Sequence, residues 1–593
     1  ARPPAPQRRA ASTWLGAWWL RLLELLDHAP FGRPVAAASL LLATLLFVLS
    51  AVTGFVSSQY VPQVMALKVY LPHLFPGPSG AMLLLGMCVA PLTALTYVVD
   101  GAAGALTLFG YRLRLRYFPT LLVLLALLFA ATDRMSLHAV RIVEDATAMK
   151  PAQRAPLAVL FRAWAERCAP GTGPVHPVIV AVSGGASRAG VWAARVLDVV
   201  DESVKASGSR SAAVFAVSSV SGGSLGAAAY LALRAGSSQD GAPADGICAL
   251  NHVGADDDPV RNARDVDVIQ ALRADAIGPT LAGMVLGDAP RALASYIARP
   301  ILWAHDKITG SVTVLRGNDR AEALERSFEY NWRTHIIAPR EKDRAAPAQI
   351  PFGFDRPYLS LFYREDGAPR GDVPLWISNG TNVKTGDRLI TAPFAIGGER
   401  YCRGDGYWAA PGDAACGAPD EADNWNVLGP FLAAADVLNI LDADVPVSTA
   451  IDNTSRFPFL SPSGELTPAG GPARGSDAQI IDGGYFENEG IMSAMELARW
   501  LGDYGPAILG RPVYPIVVQA TADADDDIPE SSIPRCSNAL RRHLPDLAEA
   551  AQAVDDPPRG SQFLVPLRGL FGVRGGHSRV LRHRALEAYC DEG

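Results

Sequence analysis

Apolar positions follow two regimes along this chain. Up to about Thr132 they form long runs with few charges. Beyond about Met149 they form short runs that alternate with helical spacings and turn residues. Residues 35–56 carry no charge and would measure about 33 Å as a helix, enough to cross a bilayer. A second stretch, about 80–110, contains Pro91 and Asp100 and reads as one tilted or broken span. A third, about 117–132, is short and dominated by leucine. Ahead of them, residues 14–27 combine Trp14, Trp18 and Trp19 with leucines and few charges, the pattern of a helix lying at a membrane interface. The expected organisation is an N-terminal bundle of transmembrane helices in residues 1–148 and a globular domain in 149–593.

In the globular part, residues 177–183 (PVIVAVS) have the continuous apolar character of a buried strand. A turn and a helical pattern over about 187–204 follow. Residues 212–217 (AAVFAV) repeat the arrangement, with a helix expected over 225–234, and residues 513–520 read as a later strand. Strands alternating with helices predict an α/β domain with a largely parallel sheet, whose sites form at the carboxyl ends of strands. Residues 400–424 read as a surface insertion.

Composition sharpens the division. The chain has 593 residues, 49% hydrophobic and 19% charged, too apolar for disorder. Residues 1–150 hold 12 Lys and Arg against 6 Asp and Glu, whereas residues 151–593 hold 41 against 54. An acidic globular part argues against nucleic acid as a partner, and a basic membrane-proximal part suits anionic headgroups. Arg2, Arg8, Arg9, Arg21 and Arg33 precede the first span, Arg112, Arg114 and Arg116 lie between the second and third, and the intervening loop 57–79 holds only Lys68. The positive-inside rule then keeps both clusters cytoplasmic, and three spans put the globular domain on the outer side. A re-entrant stretch at 80–110 would reverse that parity and leave the domain in the cytoplasm.

Three segments carry candidate chemistry: Ser183-Gly184-Gly185-Ala186-Ser187-Arg188, Ser219-Val220-Ser221-Gly222-Gly223 and Asp482-Gly483-Gly484. Each follows an apolar run that reads as a strand. A serine hydroxyl attacks an ester only if a base takes its proton and the developing oxyanion is stabilised. Ser221 between a strand and a helix, with Gly222 and Gly223 after it, has the layout of a nucleophile elbow, although Ser219 stands where the usual motif has glycine. Gly184, Gly185 and Ala186 can offer backbone N–H groups to an oxyanion. Neither a P-loop nor a dinucleotide fingerprint fits this turn. Arg188 could meet a lipid phosphate or simply pair with a carboxylate. Asp482, freed to turn by Gly483 and Gly484, is the candidate base. The histidine nearest a motif, His176, stands at the wrong end of its strand, so a Ser–Asp dyad is more economical than a triad.

Taken together these residues resemble the patatin-like phospholipase family and its cytosolic phospholipase A2 branch, which carry a G-G-G-x-R/K turn, a G-x-S-x-G elbow and a D-G-G/A base in this order. The segments 269–288, 317–328, 375–387 and 448–462 resemble bacterial membrane-anchored members. The resemblance covers about residues 175–500. It implies a patatin-type three-layer α/β fold, catalysis by Ser221 and Asp482, an oxyanion hole at Gly184–Ala186, and no metal or cofactor. It also implies a multi-pass protein of the bacterial inner membrane that hydrolyses phospholipid or lysophospholipid acyl esters. Acyl transfer by the same dyad, or a non-catalytic membrane scaffold, are the alternatives.

Other features add less. Residues 523–527 and 256–258 are acidic runs without the glycine and distal glutamate of an EF-hand loop and read as solvated. Residues 282–303 could be core or a lipid-facing lid, and 579–589 reads as an amphipathic helix. Of seven cysteines, six lie in the globular part, where Cys402 and Cys416 would close a short loop.

Overall fold

A computed structural model describes residues 107–108, 111–112, 138–206, 211–237, 248, 267–284, 288, 307–308, 319–342, 351–396, 400–402, 407–409, 430–431, 434–457, 460–468 and 478–522. The chain divides into two compact units. One comprises Ala1–Leu137, Ile277–Ser311 and Asn318–Ala323, the other His138–Ala276, Val312–Gly317 and Leu324–Gly593. The second unit thus begins at His138 rather than about Met149, because residues 139–143 pair with its interior. Ala139 forms a parallel bridge with Glu465, and the Val143 N–H donates to the Asp444 carbonyl.

In the first unit, Ile277–Gly283 is helical, and Arg320 donates to Asp288 through its side chain (2.7 Å) and its backbone N–H (3.0 Å). Thr107–Leu108 pairs antiparallel with Tyr111–Arg112, so the helix expected over 80–110 does not run to Gly110. The expected helix at 14–27 and the spans at 35–56 and 117–132 lie outside the described residues, as does the rest of 80–110. Among the described residues no helix is long and apolar enough to cross a membrane. The acidic runs at 256–258 and 523–527 and the helix at 579–589 also lie outside them. Of residues 282–303, only 282–284 and 288 are described.

The second unit is an α/β domain. Its eight-stranded sheet contains β1 (His176–Val182), β2 (Ala212–Val220), β3 (Leu375–Asn382), β4 (Arg388–Thr391), β5 (Ala434–Asp436), β6 (Gly464–Glu465), β7 (Gln479–Asp482) and β8 (Ile516–Ala520). The order is β6-β7-β3-β2-β1-β8, with β4 pairing β3 and β5. β8, β1, β2 and β3 run parallel. Almost every residue of β1 and β2 is buried, which accounts for their unbroken apolar runs.

The helices that matter for the site are α1 (Leu157–Cys168), α2 (Ala186–Ala206), α3 (Gly222–Ser237), α4 (Arg320–Trp332), α5 (Val447–Thr454) and α6 (Ile491–Leu509). α1 buries Leu157, Leu160, Phe161, Trp164 and Cys168, the i, i+3, i+4 stripe of a core-facing helix. Trp164 stacks edge-on against Phe215 of β2 and donates to the Val214 carbonyl. α6 ends at Gly510, whose φ of 68° makes a left-handed cap. Cys168 is disulfide-bonded to Cys248. In the insertion, residues 400–402 and 407–409 form an antiparallel pair, and Cys416 lies outside the described residues.

α2 and α3 cross through small residues. A Cβ on Gly226 would sit 2.1 Å from the Gly190 carbonyl oxygen and 2.9 Å from the Ala193 Cβ. Gly226→Ala is therefore expected to destabilise the protein by about 1–3 kcal/mol through overpacking. Helix propensity alone would stabilise it by about 1 kcal/mol. A thermal melt of the full chain in detergent decides which effect wins, and a raised midpoint would refute the tight crossing.

Candidate active site

The arrangement of the site follows from one edge of β3. On one side, Ser378–Thr381 pairs with β4. On the other, β2 pairs with β3 up to Val220–Asn379, and β7 continues from Asp482–Gly380 onward. β2 runs parallel to β3 and β7 runs antiparallel, so the two strands approach head-on and stop at adjacent residues of a third. All three motifs do lie at carboxyl ends of strands, but Asp482 arrives from the opposite direction.

At this junction the Ser221 hydroxyl donates to Asp482 Oδ2 at 2.7 Å. Ser221 has φ 51°, the positive value of a sharp strand-to-helix turn that a non-glycine residue adopts only when its surroundings hold it there. The surroundings are specific. The Ser221 N–H donates to both the carbonyl (3.1 Å) and the Oγ1 (2.8 Å) of Thr454, the last residue of α5. The Ser224 N–H caps the Ser221 carbonyl at 2.9 Å. The N-terminus of α3 immediately follows, which favours negative charge beside the hydroxyl. Asp482 is fully buried. Its Oδ1 accepts the Gly484 N–H at 2.7 Å, leaving Oδ2 to the serine. Its own N–H donates to the Arg456 carbonyl at 3.3 Å.

The glycines of the motifs permit close backbone contact. A Cβ on Gly222 would lie 1.9 Å from the Ala186 carbonyl oxygen, and one on Gly483 would lie 2.0 Å from that of Asn379. The turn before α2 therefore rests directly on the nucleophile turn. Gly185 (φ 145°) and Ala186 (φ 55°) both have positive φ. The Gly184 N–H donates to the Asn488 carbonyl at 2.8 Å, so it ties the first motif to the loop after Asp482 and is not open to an oxyanion. This corrects the expectation of three donors. Among the described residues no acceptor faces the N–H of Gly185 or Ala186. Ser219, in place of the first elbow glycine, is fully buried. Its hydroxyl accepts from the Trp376 indole (2.7 Å) and shares a hydrogen with Ser224 Oγ (2.7 Å), so the extra atoms are accommodated and paired.

Beneath Ser221 and Asp482 lies a polar lattice that no catalytic motif marks. The Asn379 amide donates to Ser218 Oγ and the Ser219 carbonyl, both at 3.0 Å, and accepts from Ser493 Oγ at 2.6 Å. Arg388 donates to Ser493 (2.8 Å) and pairs with Glu496 (2.8 Å). Thr454 and Arg456 fall in the family-like segment 448–462 without any role there, and Asn488 falls outside every such segment and motif. They lie in or beside segments with no catalytic motif, and only their backbone positions reveal them.

Arg188 is exposed and donates to the Ala522 carbonyl at 3.2 Å. With Ser187, Val191, Trp192, Arg195 and Arg273 it lines an open groove of about 410 Å³ along α2. His176 is the first residue of β1, stacked on Tyr514, at the strand end away from the motifs. Among the described residues no group of three His, Cys, Asp or Glu is arranged to hold a metal ion. No protein-family model, characterised protein or solved structure matches this chain.

Behind the 454–456 segment, Glu325 of α4 meets Arg141 Nε at 3.0 Å and accepts from Thr449 at 2.6 Å. Burial pushes the Glu325 carboxyl up to about 7, with Arg141 and Arg456 opposing the rise and Asp452 adding to it. A carboxyl raised above its unfolded value takes up a proton on folding. Its stabilising contribution is complete below about pH 4.5 and is lost as pH rises through about 7. Glu325→Gln should therefore flatten the decline of stability between about pH 5 and about pH 8, read from urea denaturation of both proteins. Identical declines would refute the assignment.

Proposed function

We propose that this protein is a membrane-bound serine lipid acyl hydrolase of the patatin-like type. The observation that carries the reading is the 2.7 Å hydrogen bond from the Ser221 hydroxyl, on its left-handed turn, to the buried Asp482 carboxylate. A carboxylate in direct contact with a serine hydroxyl can take its proton without an intervening imidazole. Ser221 Oγ attacks the ester carbonyl as Asp482 Oδ2 accepts the proton. The N–H groups of Gly185 and Ala186 receive the oxyanion, and the proton returns to the departing alcohol. Water, deprotonated by Asp482, then attacks the acyl carbonyl; the fatty acid leaves as the Ser221 Oγ–acyl bond breaks, and Asp482 returns the proton to Ser221 Oγ. The three-layer patatin arrangement and the phospholipid or lysophospholipid substrate rest on the motif resemblance. Arg188 beside the oxyanion turn supplies a cation for a lipid phosphate.

The transmembrane topology that puts the globular domain on the outer face of the inner membrane is supported by the Cys168–Cys248 disulfide, since such bonds persist in oxidising compartments. A reporter fused after Gly593 distinguishes the two sides. Alkaline phosphatase activity is expected, and fluorescence of ordinary green fluorescent protein in that position would contradict the outer location.

Ser221→Ala and Asp482→Asn are each expected to abolish fluorophosphonate labelling and nearly all ester hydrolysis in a folded protein. The double variant should be little worse than either, because the pair acts as a unit. Arg188→Ala should slow phospholipid hydrolysis more than that of a neutral short-chain ester. Full activity in folded Ser221→Ala would sink the proposal, and equal losses on both esters would make Arg188 structural.

A further inference from the structure

One short stretch of chain holds both members of the dyad by their backbones. Thr454 accepts the Ser221 N–H through two atoms, and two residues later the Arg456 carbonyl accepts the Asp482 N–H. The separation of nucleophile and base is thereby tied to the conformation of residues 454–456. That conformation is set by a side-chain cluster away from the reacting atoms. Arg456, 2% exposed, donates to the Pro462 carbonyl (3.1 Å) and to Asn453 Oδ1 (3.3 Å). Its guanidinium stands 3.1 Å from Asp452 Oδ2 and 3.8 Å from Glu325 Oε1. Asp452 accepts from Ser461 at 3.1 Å, and its carbonyl accepts the Ser455 N–H at 2.8 Å. Arg141 closes the far side, pairing with Glu325 and Glu329 and donating to Ser448.

We infer that Arg456 is a positioning residue for the reaction. Clasped by Asp452 and Glu325, it fixes the Thr454–Arg456 strut that sets the distance between Ser221 and Asp482. Three properties support this role over simple core filling. The strut contacts nucleophile and base separately, so a shift of it changes their relative position. The guanidinium satisfies partners on both flanks of the strut, at Asn453 and at Pro462, which locks the turn between α5 and β6. A planar fork also fixes direction in a way that a point charge on a flexible stem does not. Displacing reacting groups by about 1 Å is enough to lower turnover about a hundredfold. Arg456, Asp452 and Glu325 are all buried, so the expected effect falls on turnover rather than on substrate binding.

The inference rests on the dyad reading, and the test separates the two. Full-length protein in detergent is assayed for fluorophosphonate labelling rate and for kcat and KM on a soluble short-chain ester, alongside its thermal midpoint. Arg456→Gln should lower kcat and labelling about 10- to 100-fold with KM unchanged, and Arg456→Lys should recover part of the loss. Thr454→Val keeps the carbonyl acceptor and removes only Oγ1. It preserves side-chain size, so it reads the strut even if Arg456→Gln fails to fold, and a loss of about fivefold or more in kcat is expected. Wild-type labelling and kcat in Thr454→Val together with folded Arg456→Lys would overturn the inference, whatever their thermal midpoints. If wild-type protein does not label, or Ser221→Ala does, the dyad reading fails instead.

Discussion

The structure depends on two strands meeting head-on. β2 and β7 occupy the same edge of β3 from opposite directions and stop at Asn379 and Gly380. Neither could extend without colliding with the other, so each must leave the sheet at that point. Ser221 and Asp482 are the residues at which they leave. The small residues around the junction follow from the same crowding. Gly483 passes against the Asn379 backbone and Gly222 against the Ala186 carbonyl. The β3 register is in turn held from below by the Asn379 amide, which reaches across to β2 and to Ser493 of α6. The spacing of Ser221 and Asp482 is thus set by sheet register, together with the 454–456 segment that accepts both of their backbone N–H groups.

Much of this was legible in the sequence, for local reasons. β1 and β2 are buried on both faces, and their apolar runs announce them. A serine followed by two glycines between a strand and a helix marks a sharp turn because few other residues tolerate one. The illegible parts are those in which a residue's role depends on a distant partner. The antiparallel direction of β7 leaves no trace in the four residues Gln479–Asp482, since pairing direction belongs to the two strands jointly. The hydroxyl of Ser219 looked like a departure from the elbow pattern until Trp376, on the neighbouring strand, supplied its partner. Gly184 looked equivalent to Gly185, yet Asn488 takes its N–H. Thr454 and Arg456 act through backbone carbonyls, which every residue possesses.

The site is also notable for how its polar atoms are divided. Above the junction, Asp482 has one carboxylate oxygen engaged by the Gly484 N–H and the other by the Ser221 hydroxyl. Below it, amide, hydroxyl and guanidinium groups are linked in a chain from Ser218 through Asn379 and Ser493 to Arg388 and Glu496. Buried polar groups destabilise when one partner is missing. The lattice is paired at most of its atoms, with Arg388 Nε left without a hydrogen-bond partner among the described residues, so removing a further partner from it is expected to destabilise the strands above.

The Cys168–Cys248 bond joins residues 80 apart in sequence, and the segment between them contains β1, α2, β2 and α3. The turns at Gly184–Ala186 and at Ser221 therefore belong to one covalently closed ring, while Asp482 lies outside it. In the unfolded chain, closing a ring of this size removes conformational freedom worth about 4–5 kcal/mol on a loop-entropy account. The half of the site with the most demanding backbone, at Gly185, Ala186 and Ser221, is thus the half whose disordered alternatives are restricted. A chain that unfolds with this ring intact keeps those two turns on one closed loop, while Asp482, Asn488 and the 454–456 segment that contact them join from outside it.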